Sequence, residues 1–226
     1  MNIAIIPARG GSKRIPKKNI REFLGRPVIS YSIEIANKSG LFERIIVSTD
    51  NDEIAEIAMK YGAEVPFKRP KNLSDDHTST HDVISHAVNW LINLGVKMDY
   101  VCSIYPAAPL IQLEDLVKGL ELISKGNWES VFAATNFSYP IFRSFHYDKN
   151  GGLKMFFPEF YHSRSQDLKE ALHDAGQFYW AKPEVWMMPS KAYNEKSTVV
   201  LLPNWRVQDI DNLDDWKTAE IIYKNL

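Results

Sequence analysis

Several features that define whole classes of protein are missing from this sequence, or nearly so. Only one cysteine, Cys102, stands among the 226 residues, so no disulfide can form within the chain and a reducing compartment is expected. No stretch approaches the roughly 20 apolar residues that cross a bilayer. The apolar residues 3–6 lack the basic lead-in and the length of a secretory signal. We therefore expect a cytoplasmic protein without a membrane partner.

The chain also lacks an excess of charge of either sign. The 27 Lys and Arg residues face 28 Asp and Glu residues, which gives a formal net charge of -1. Nothing in this balance favours general binding to nucleic acid or to an anionic surface. Hydrophobic residues make up 45% of the chain and charged residues 24%, as in ordinary soluble globular proteins. We expect one domain over residues 1–226 with a substantial core.

Short apolar runs alternate with amphipathic stretches, and there is no internal repeat or low-complexity linker. This alternation predicts an α/β domain with a mostly parallel sheet between helices. Predicted strands cover residues 3–7, 44–48, 63–67, 100–104, 130–134, 177–181 and 198–202. Predicted helices cover residues 28–38, 52–61, 79–94, 113–124 and 213–224.

The alternation stops after residue 134. Residues 137–163 are rich in aromatic side chains without a helical period, and Asn150-Gly151-Gly152 predicts a hairpin turn. We interpret residues 137–170 as an inserted hairpin arm for dimerisation and sugar binding, which predicts a homodimer. An ordinary hairpin folded over its own core is the alternative interpretation.

The loop after the first predicted strand, residues 7–19, carries the densest charge. It contains no acidic residue and five basic ones: Arg9, Lys13, Arg14, Lys17 and Lys18. Open α/β sheets place their ligands at this end of a strand, and the glycines at positions 10 and 11 let the backbone approach a ligand closely. Lysine and arginine side chains can then neutralise a polyphosphate. The loop therefore predicts a triphosphate-binding site.

Two common phosphate-binding patterns are absent from this loop. It lacks the G-x-G-x-x-G spacing of a nicotinamide-dependent oxidoreductase and the G-x-x-x-x-G-K-[ST] of a P-loop NTPase. A solvated basic surface and a nucleic-acid patch are the other interpretations. The second would usually be accompanied by basic charge elsewhere in the chain.

Four motifs follow one another over nearly the whole chain. They are Ala8-Arg9-Gly10-Gly11-Ser12-Lys13 with Lys18-Asn19, Ile45-Ile46-Val47-Ser48-Thr49-Asp50, Arg69-Pro70 with Thr78-Ser79-Thr80, and Asp209-Ile210-Asp211. Together they resemble the CMP-sialic acid synthetase (acylneuraminate cytidylyltransferase) family. The resemblance implies a Rossmann-like nucleotidyltransferase domain that transfers a cytidylyl group from CTP to an acidic nine-carbon sugar.

The resemblance also implies roles for individual residues. Three would be catalytic, with Lys18 stabilising charge on the reacting phosphate: Arg9, Lys18 and Asp211. Nine would bind the nucleotide, with Asn19 and Thr80 at the ribose and Arg69 at the cytosine: Ala8, Arg9, Gly10, Ser12, Lys13, Asn19, Arg69, Thr78 and Thr80. The alternatives are a surface ion pair for Arg69 and a helix N-cap for Thr80.

Asp209 and Asp211 are the predicted metal ligands. Alternate residues of an extended segment face the same way, so both carboxylates can meet one hard cation. Mg²⁺ is the expected cofactor because it accepts carboxylates, water and phosphate oxygens in one shell. The alternative is that Asp211 is only the N-cap of the last helix.

The sugar is indicated by departures from the family pattern. The family typically carries Gln-Pro-Thr-Ser-Pro-Leu-Arg where residues 105–111 read Tyr-Pro-Ala-Ala-Pro-Leu-Ile. The changes at Tyr105 and Ile111 remove polar contacts, which suits a sugar with a less polar tail. Residues 164–168 and 173–180 resemble the branch of the family that uses pseudaminic acid, which implies CMP-pseudaminic acid as product, for decoration of flagellin or the cell surface.

Six residues are the resulting sugar-binding candidates: Tyr105, Arg164, Gln166, His173, Gln177 and Tyr179. Arg164 would hold the sugar carboxylate through two parallel hydrogen bonds, while His173 is equally a surface or loop histidine. The alternatives for the whole protein are CMP transfer to N-acetylneuraminic or legionaminic acid, and a non-catalytic nucleotide-binding protein.

Overall fold

A six-stranded sheet with helices on both faces forms the molecule, and its computed structural model describes residues 1–188 and 194–226. In chain order the strands are β1 (Asn2–Pro7), β2 (Glu22–Phe23), β3 (Arg26–Pro27), β4 (Arg44–Ser48), β5 (Tyr100–Ile104), β6 (Ser130–Asn136), β7 (Phe145–Tyr147), β8 (Leu153–Met155), β9 (Leu172–Ala181) and β10 (Ser197–Leu201). The helices are α1 (Val28–Ser39), α2 (Asp52–Lys60), α3 (Thr80–Asn93), α4 (Leu113–Lys125), α5 (Pro183–Met187) and α6 (Leu213–Tyr223). Within these ranges, no helix has both the length and the apolar character needed to cross a bilayer.

The strand order in the large sheet is β10-β6-β9-β5-β1-β4. Strand β9 runs antiparallel to both of its neighbours, and the other paired strands are parallel. The predicted mostly parallel α/β architecture is therefore confirmed. The sheet places the carboxyl ends of β1, β4 and β5 side by side, which is the edge where such sheets bind ligands.

Strand β1 shows why the sequence folds as a buried sheet. Its four central residues are fully buried, because helices cover both faces of the strand. Ile3 and Ile5 pack with α3 on one face, whereas Ala4 and Ile6 pack with α1, α2 and α4 on the other. Period-two alternation thus divides one apolar run between two cores.

One predicted strand is wrong, and one predicted strand begins too late. Residues 63–67 form no strand but two isolated bridges, Ile46 to Glu64 and Thr49 to Lys68. Pro66 lies between the bridges and has no N–H to donate to a ladder. Strand β9 begins at residue 172 rather than 177, because residues 172–174 also pair with β6 beyond a register shift around Gly176, whose φ is +62°. This bulge interrupts the alternation that sequence reasoning relies on.

The aromatic insertion contains the predicted hairpin. Strands β7 and β8 pair antiparallel as a separate two-stranded sheet, with Tyr147 opposite Leu153 and Gly151 in the turn at φ +82°. Both Tyr147 and Leu153 are largely exposed, at 77% and 65%. The use of residues 137–170 as an arm for dimerisation and sugar binding stays a prediction.

Candidate active site

A cleft of about 190 Å³ opens at the carboxyl ends of β1 and β5. Most of the predicted nucleotide-binding residues and all three predicted catalytic residues line it. Its charged and polar lining consists of Arg9, Ser12, Lys13, Arg14, Lys18, Asn19, Arg69, Thr78, Thr80, Tyr105 and Asp211. Lys18 and Asp211, which lie near opposite ends of the sequence, therefore share one cleft.

Hydrogen bonds between side chains and the backbone hold the basic loop in place. The amide of Gly10 donates to Asp50 Oδ1 at 2.9 Å, and a Cβ at Gly10 would lie 2.9 Å from that of Asn51. Asn19 is buried, and its side-chain amide donates to the carbonyl of Arg9 at 2.9 Å. Ala8 is fully buried beneath the loop rather than in the cleft lining. The loop conformation thus depends on a glycine at position 10 and an amide at position 19.

Lys18 connects the basic loop with the acidic segment, Asp209-Ile210-Asp211. Its Nζ donates to the carbonyl of Ile210 at 2.6 Å, which fixes the backbone between the two predicted metal ligands. Burial lowers the pKa of Lys18, while the nearby carboxylates of Asp209 and Asp211 act in the opposite direction. The ammonium group is therefore positioned by the acidic segment and partly shielded from water.

The two predicted metal ligands differ in exposure. Asp211 lines the cleft and pairs with Arg14 at 2.7 Å. Asp209 is not part of the cleft lining, and its pKa is raised by burial and then by the charge of Asp211. Two neighbouring carboxylates repel each other, and a cation between or beside them relieves that repulsion. The N-cap of α6 is Asn212, so the interpretation of Asp211 as a mere cap is wrong.

Asp174 is an acidic neighbour that sequence reasoning missed. It lies on β9, accepts from the amide of Gly176 at 2.8 Å, and has its pKa raised by burial and by the charge of Asp209. The contact depends on the bulge of β9, so no local pattern predicts it.

The acidic donors fit a magnesium ion that shares its shell with a substrate. The described residues hold no group of three or more His, Cys, Asp or Glu side chains arranged to hold a metal by themselves. Mg²⁺ usually takes only one or two carboxylates and fills its other positions with water and phosphate oxygens. The pair Asp209 and Asp211 supplies that number of donors at the edge of the cleft.

Arg69 and Thr80 also line the cleft. Arg69 is buried, its Nε donates to Ser48 Oγ at 3.1 Å, and Nη2 donates to the Ser48 carbonyl. Burial lowers the pKa of Arg69 to about 10, which leaves the guanidinium charged at neutral pH. A surface ion pair is therefore the wrong interpretation of Arg69. Thr80 is the first residue of α3, and Ser79 rather than Thr80 is its N-cap.

A second, mainly apolar cleft of about 410 Å³ adjoins the first and shares Thr80 and Tyr105 with it. Tyr179 and Trp186 line this cleft, and the Tyr179 ring stacks on Phe132 with centroids 5.3 Å apart. Of the predicted sugar-binding residues, Tyr105 and Tyr179 thus meet beside the nucleotide cleft. Aromatic rings supply flat apolar surfaces in this cleft, and Glu129 adds a carboxylate to its lining.

The other predicted sugar-binding residues are not brought together. Arg164 is exposed and pairs with Asp167 at 2.8 Å, and Gln166 lies exposed on the same 3₁₀ turn. His173 lines a separate cavity of about 750 Å³ at the base of the arm. Gln177 is buried, with no hydrogen-bond partner found for its Oε1 in the described part of the chain. Their roles stay predictions.

A mostly parallel sheet with a cationic cleft at its strand ends defines an α/β nucleotide-binding protein. The fold is similar to that of CMP:2-keto-3-deoxy-manno-octonic acid synthetase solved in complex with CTP. That match has a TM-score of 0.72 and 16% identity over 100% of this chain and 99% of the other.

The sequence matches a family model described as cytidylyltransferase over residues 3–150. It is 46% identical to pseudaminic acid cytidylyltransferase of Campylobacter jejuni, over 99% of this chain and 96% of that protein. It is 32% identical to CMP-N,N'-diacetyllegionaminic acid synthase of Legionella pneumophila, over 96% and 94%. The chain belongs to the cytidylyltransferase family.

Proposed function

We propose that this cytidylyltransferase converts CTP and pseudaminic acid into CMP-pseudaminic acid and pyrophosphate, with Mg²⁺ as its cofactor. One observation carries the proposal: the basic loop and Asp211 line the same cleft. The 46% identity to the Campylobacter jejuni relative supports the choice of sugar. The product would serve glycosylation of flagellin or of the cell surface.

The reaction needs one bond to form and one to break. The anomeric hydroxyl oxygen of the sugar acid attacks the α-phosphorus of CTP, the bond from that phosphorus to the β-phosphate oxygen breaks, and the hydroxyl proton is lost to solvent. Arg9, Lys13 and Lys18 would hold the phosphates and offset the charge that develops on them. Most of the rate enhancement would then come from positioning and charge neutralisation.

Asp209 and Asp211 would hold the Mg²⁺ ion. When bound, the ion supplies positive charge to the phosphate oxygens and helps to orient them. Lys18 contributes from the protein side, because its hydrogen bond to the Ile210 carbonyl keeps the acidic segment facing the basic loop. We place Arg69 at the cytosine and Thr80 with Asn19 at the ribose.

The sugar acid would occupy the second cleft, next to the nucleotide. Pseudaminic acid has a deoxygenated terminus and two acylated nitrogens, so an aromatic surface suits it better than a set of charged partners. Tyr105 and Tyr179 support this placement, since they line that cleft and Tyr105 also lines the first. Arg164 and Gln166 of the arm, together with His173 near the start of β9, would complete the site if the arm of one subunit reaches another subunit's cleft.

An acceptor panel tests the proposal. Pyrophosphate release would be measured with CTP, Mg²⁺ and, in turn, pseudaminic, legionaminic, N-acetylneuraminic and KDO acids. We expect the highest kcat/KM with pseudaminic acid and loss of turnover when EDTA removes the metal. A higher kcat/KM with another acid would overturn the choice of sugar, whereas CTP binding without release in any mixture would indicate a non-catalytic nucleotide-binding protein.

We further propose a homodimeric cytoplasmic enzyme, with residues 137–170 as the arm between subunits. Exposed aromatic and aliphatic side chains on the hairpin support this, since a monomer gains nothing from presenting them to water. The cytoplasm is expected because CTP and activated sugars are made and used there.

A further inference from the structure

Asp76 forms ion pairs that connect two loops at the nucleotide cleft. One of its oxygens pairs with Arg9 Nη1 at 2.6 Å, and the other pairs with Lys13 Nζ. Both cations line the cleft from the basic loop, whereas Asp76 belongs to the loop that leads from Arg69 into α3. The same Arg9 nitrogen also donates to the carbonyl of Asp75 at 2.7 Å. A protein carboxylate thus occupies two cations that the proposed function assigns to the triphosphate.

Asp76 can compete with a ligand for Arg9 and Lys13, but its ion pairs are weak enough for a triphosphate to displace them. Lys13 and Arg9 lower the pKa of Asp76, so it is charged at neutral pH. Its side chain and that of Arg9 are each 34% exposed, and that of Lys13 is 80% exposed. Solvent-exposed ion pairs contribute little net stability. A triphosphate, with more charge and more acceptor oxygens, can displace a single carboxylate from such partners.

The conformation of the surrounding loop does not depend on Asp76. Asp75 holds the turn, because its Oδ1 accepts from the amides of His77 and Thr78 at 3.0 and 2.7 Å and from Thr78 Oγ1 at 2.7 Å. A change at position 76 can therefore remove the competing charge while the turn keeps its own hydrogen bonds. This separation makes the competition testable.

We propose that Asp76 is an internal competitor that sets the affinity of the cleft for the triphosphate and promotes release of pyrophosphate. It holds Arg9 and Lys13 until nucleotide arrives and takes them back after pyrophosphate leaves. The inference rests on the proposed role of these two cations in phosphate binding. It assigns an affinity-determining role to a residue that is not part of the cleft lining.

Isothermal titration calorimetry of the metal-loaded protein tests this role, with CTP, pyrophosphate and CMP as probes. We expect Asp76→Asn to lower the Kd of CTP and of pyrophosphate by roughly two- to tenfold, and that of CMP by less, because CMP lacks the outer phosphates. Glu53→Gln is the matched control: Glu53 pairs with Lys17 at 2.6 Å, and neither residue lines the cleft. That control should leave all three Kd values unchanged.

The outcomes separate this inference from the proposed function. If Arg9→Ala and Lys13→Ala leave the Kd of CTP unchanged, the loop does not bind the triphosphate and both ideas fail. If these changes weaken binding but Asp76→Asn does not tighten it, only the competition is wrong. In the variant lacking both cations, Asp76→Asn should have no further effect. Asp76→Ser repeats the measurement should Asp76→Asn lower the melting temperature.

Discussion

At the scale of the residue, neighbouring side chains at the end of the acidic segment have separate tasks. Asn212 accepts from the amides of Asp214 and Asp215 and thereby caps α6, while the carboxylate of Asp211 faces the cleft. The cap leaves position 211 free to be altered without loss of the helix. Function and stability can therefore be tested independently at these adjacent positions.

Asp211→Asn should reduce turnover strongly and leave the fold intact. We expect pyrophosphate release to fall on the order of 10²-fold or more, because a charged donor to the metal and phosphates is lost. The melting temperature should stay within about 2 °C of the original. The control is Asp214→Asn, since that side chain is 93% exposed. Full activity of the Asp211 variant at low Mg²⁺ would remove the metal assignment.

Asn212→Ala should reduce stability rather than turnover. Loss of the cap should lower the free energy of unfolding by about 1 kcal/mol, measured by urea denaturation. Lys217→Ala, on the exposed face of the same helix, provides the comparison and should change it by less than about 0.5 kcal/mol. Equal losses in the two variants would contradict the assigned capping role.

At the scale of the element, one helix depends on the absence of a side chain. Gly119 lies in α4, and a Cβ there would lie 2.7 Å from Trp180 Cδ1 and 3.1 Å from Phe178 Cε2. Trp180 and Phe178 are fully buried on β9, so they cannot move aside. Close packing of the helix on the sheet thus requires glycine at this position.

Gly119→Ala should destabilise the protein, although alanine is the better helix former by about 1 kcal/mol. We expect a net loss of roughly 1–3 kcal/mol in the free energy of unfolding, because overpacking forces the tryptophan or the helix to shift. Lys118→Ala, exposed next to it, is the control. An increase in stability for the Gly119 variant would show that the interface has room to spare.

The elements also show how far sequence reasoning reaches. Strands β1, β4 and β5 were predictable because parallel strands buried on both faces read as continuous apolar runs. The start of β9 was not, because the bulge at Gly176 depends on pairing with β6. Cations of the basic loop were predictable from their density, whereas Asp76 and Asp174 were not, since their contacts join segments distant in sequence.

At the scale of the whole molecule, the arm gives a prediction about assembly. We expect light scattering to give about twice the 25.9 kDa of one chain. Leu153→Glu, on the exposed hairpin, should reduce the mass to that of a monomer, because a buried charge without a partner is costly. Ile221→Glu on α6 is the control, since Ile221 is also exposed, at 63%. A dimer that survives the Leu153 change would place the interface elsewhere.

The hydrogen bond from Lys18 to the Ile210 carbonyl connects the first loop of the chain with its last segment. During synthesis on a ribosome, the cations emerge long before the carboxylates that face them. A translation product interrupted between the two would carry phosphate-binding groups without the acids proposed for turnover. Fragments that stop before residue 209 should therefore fail to turn over CTP.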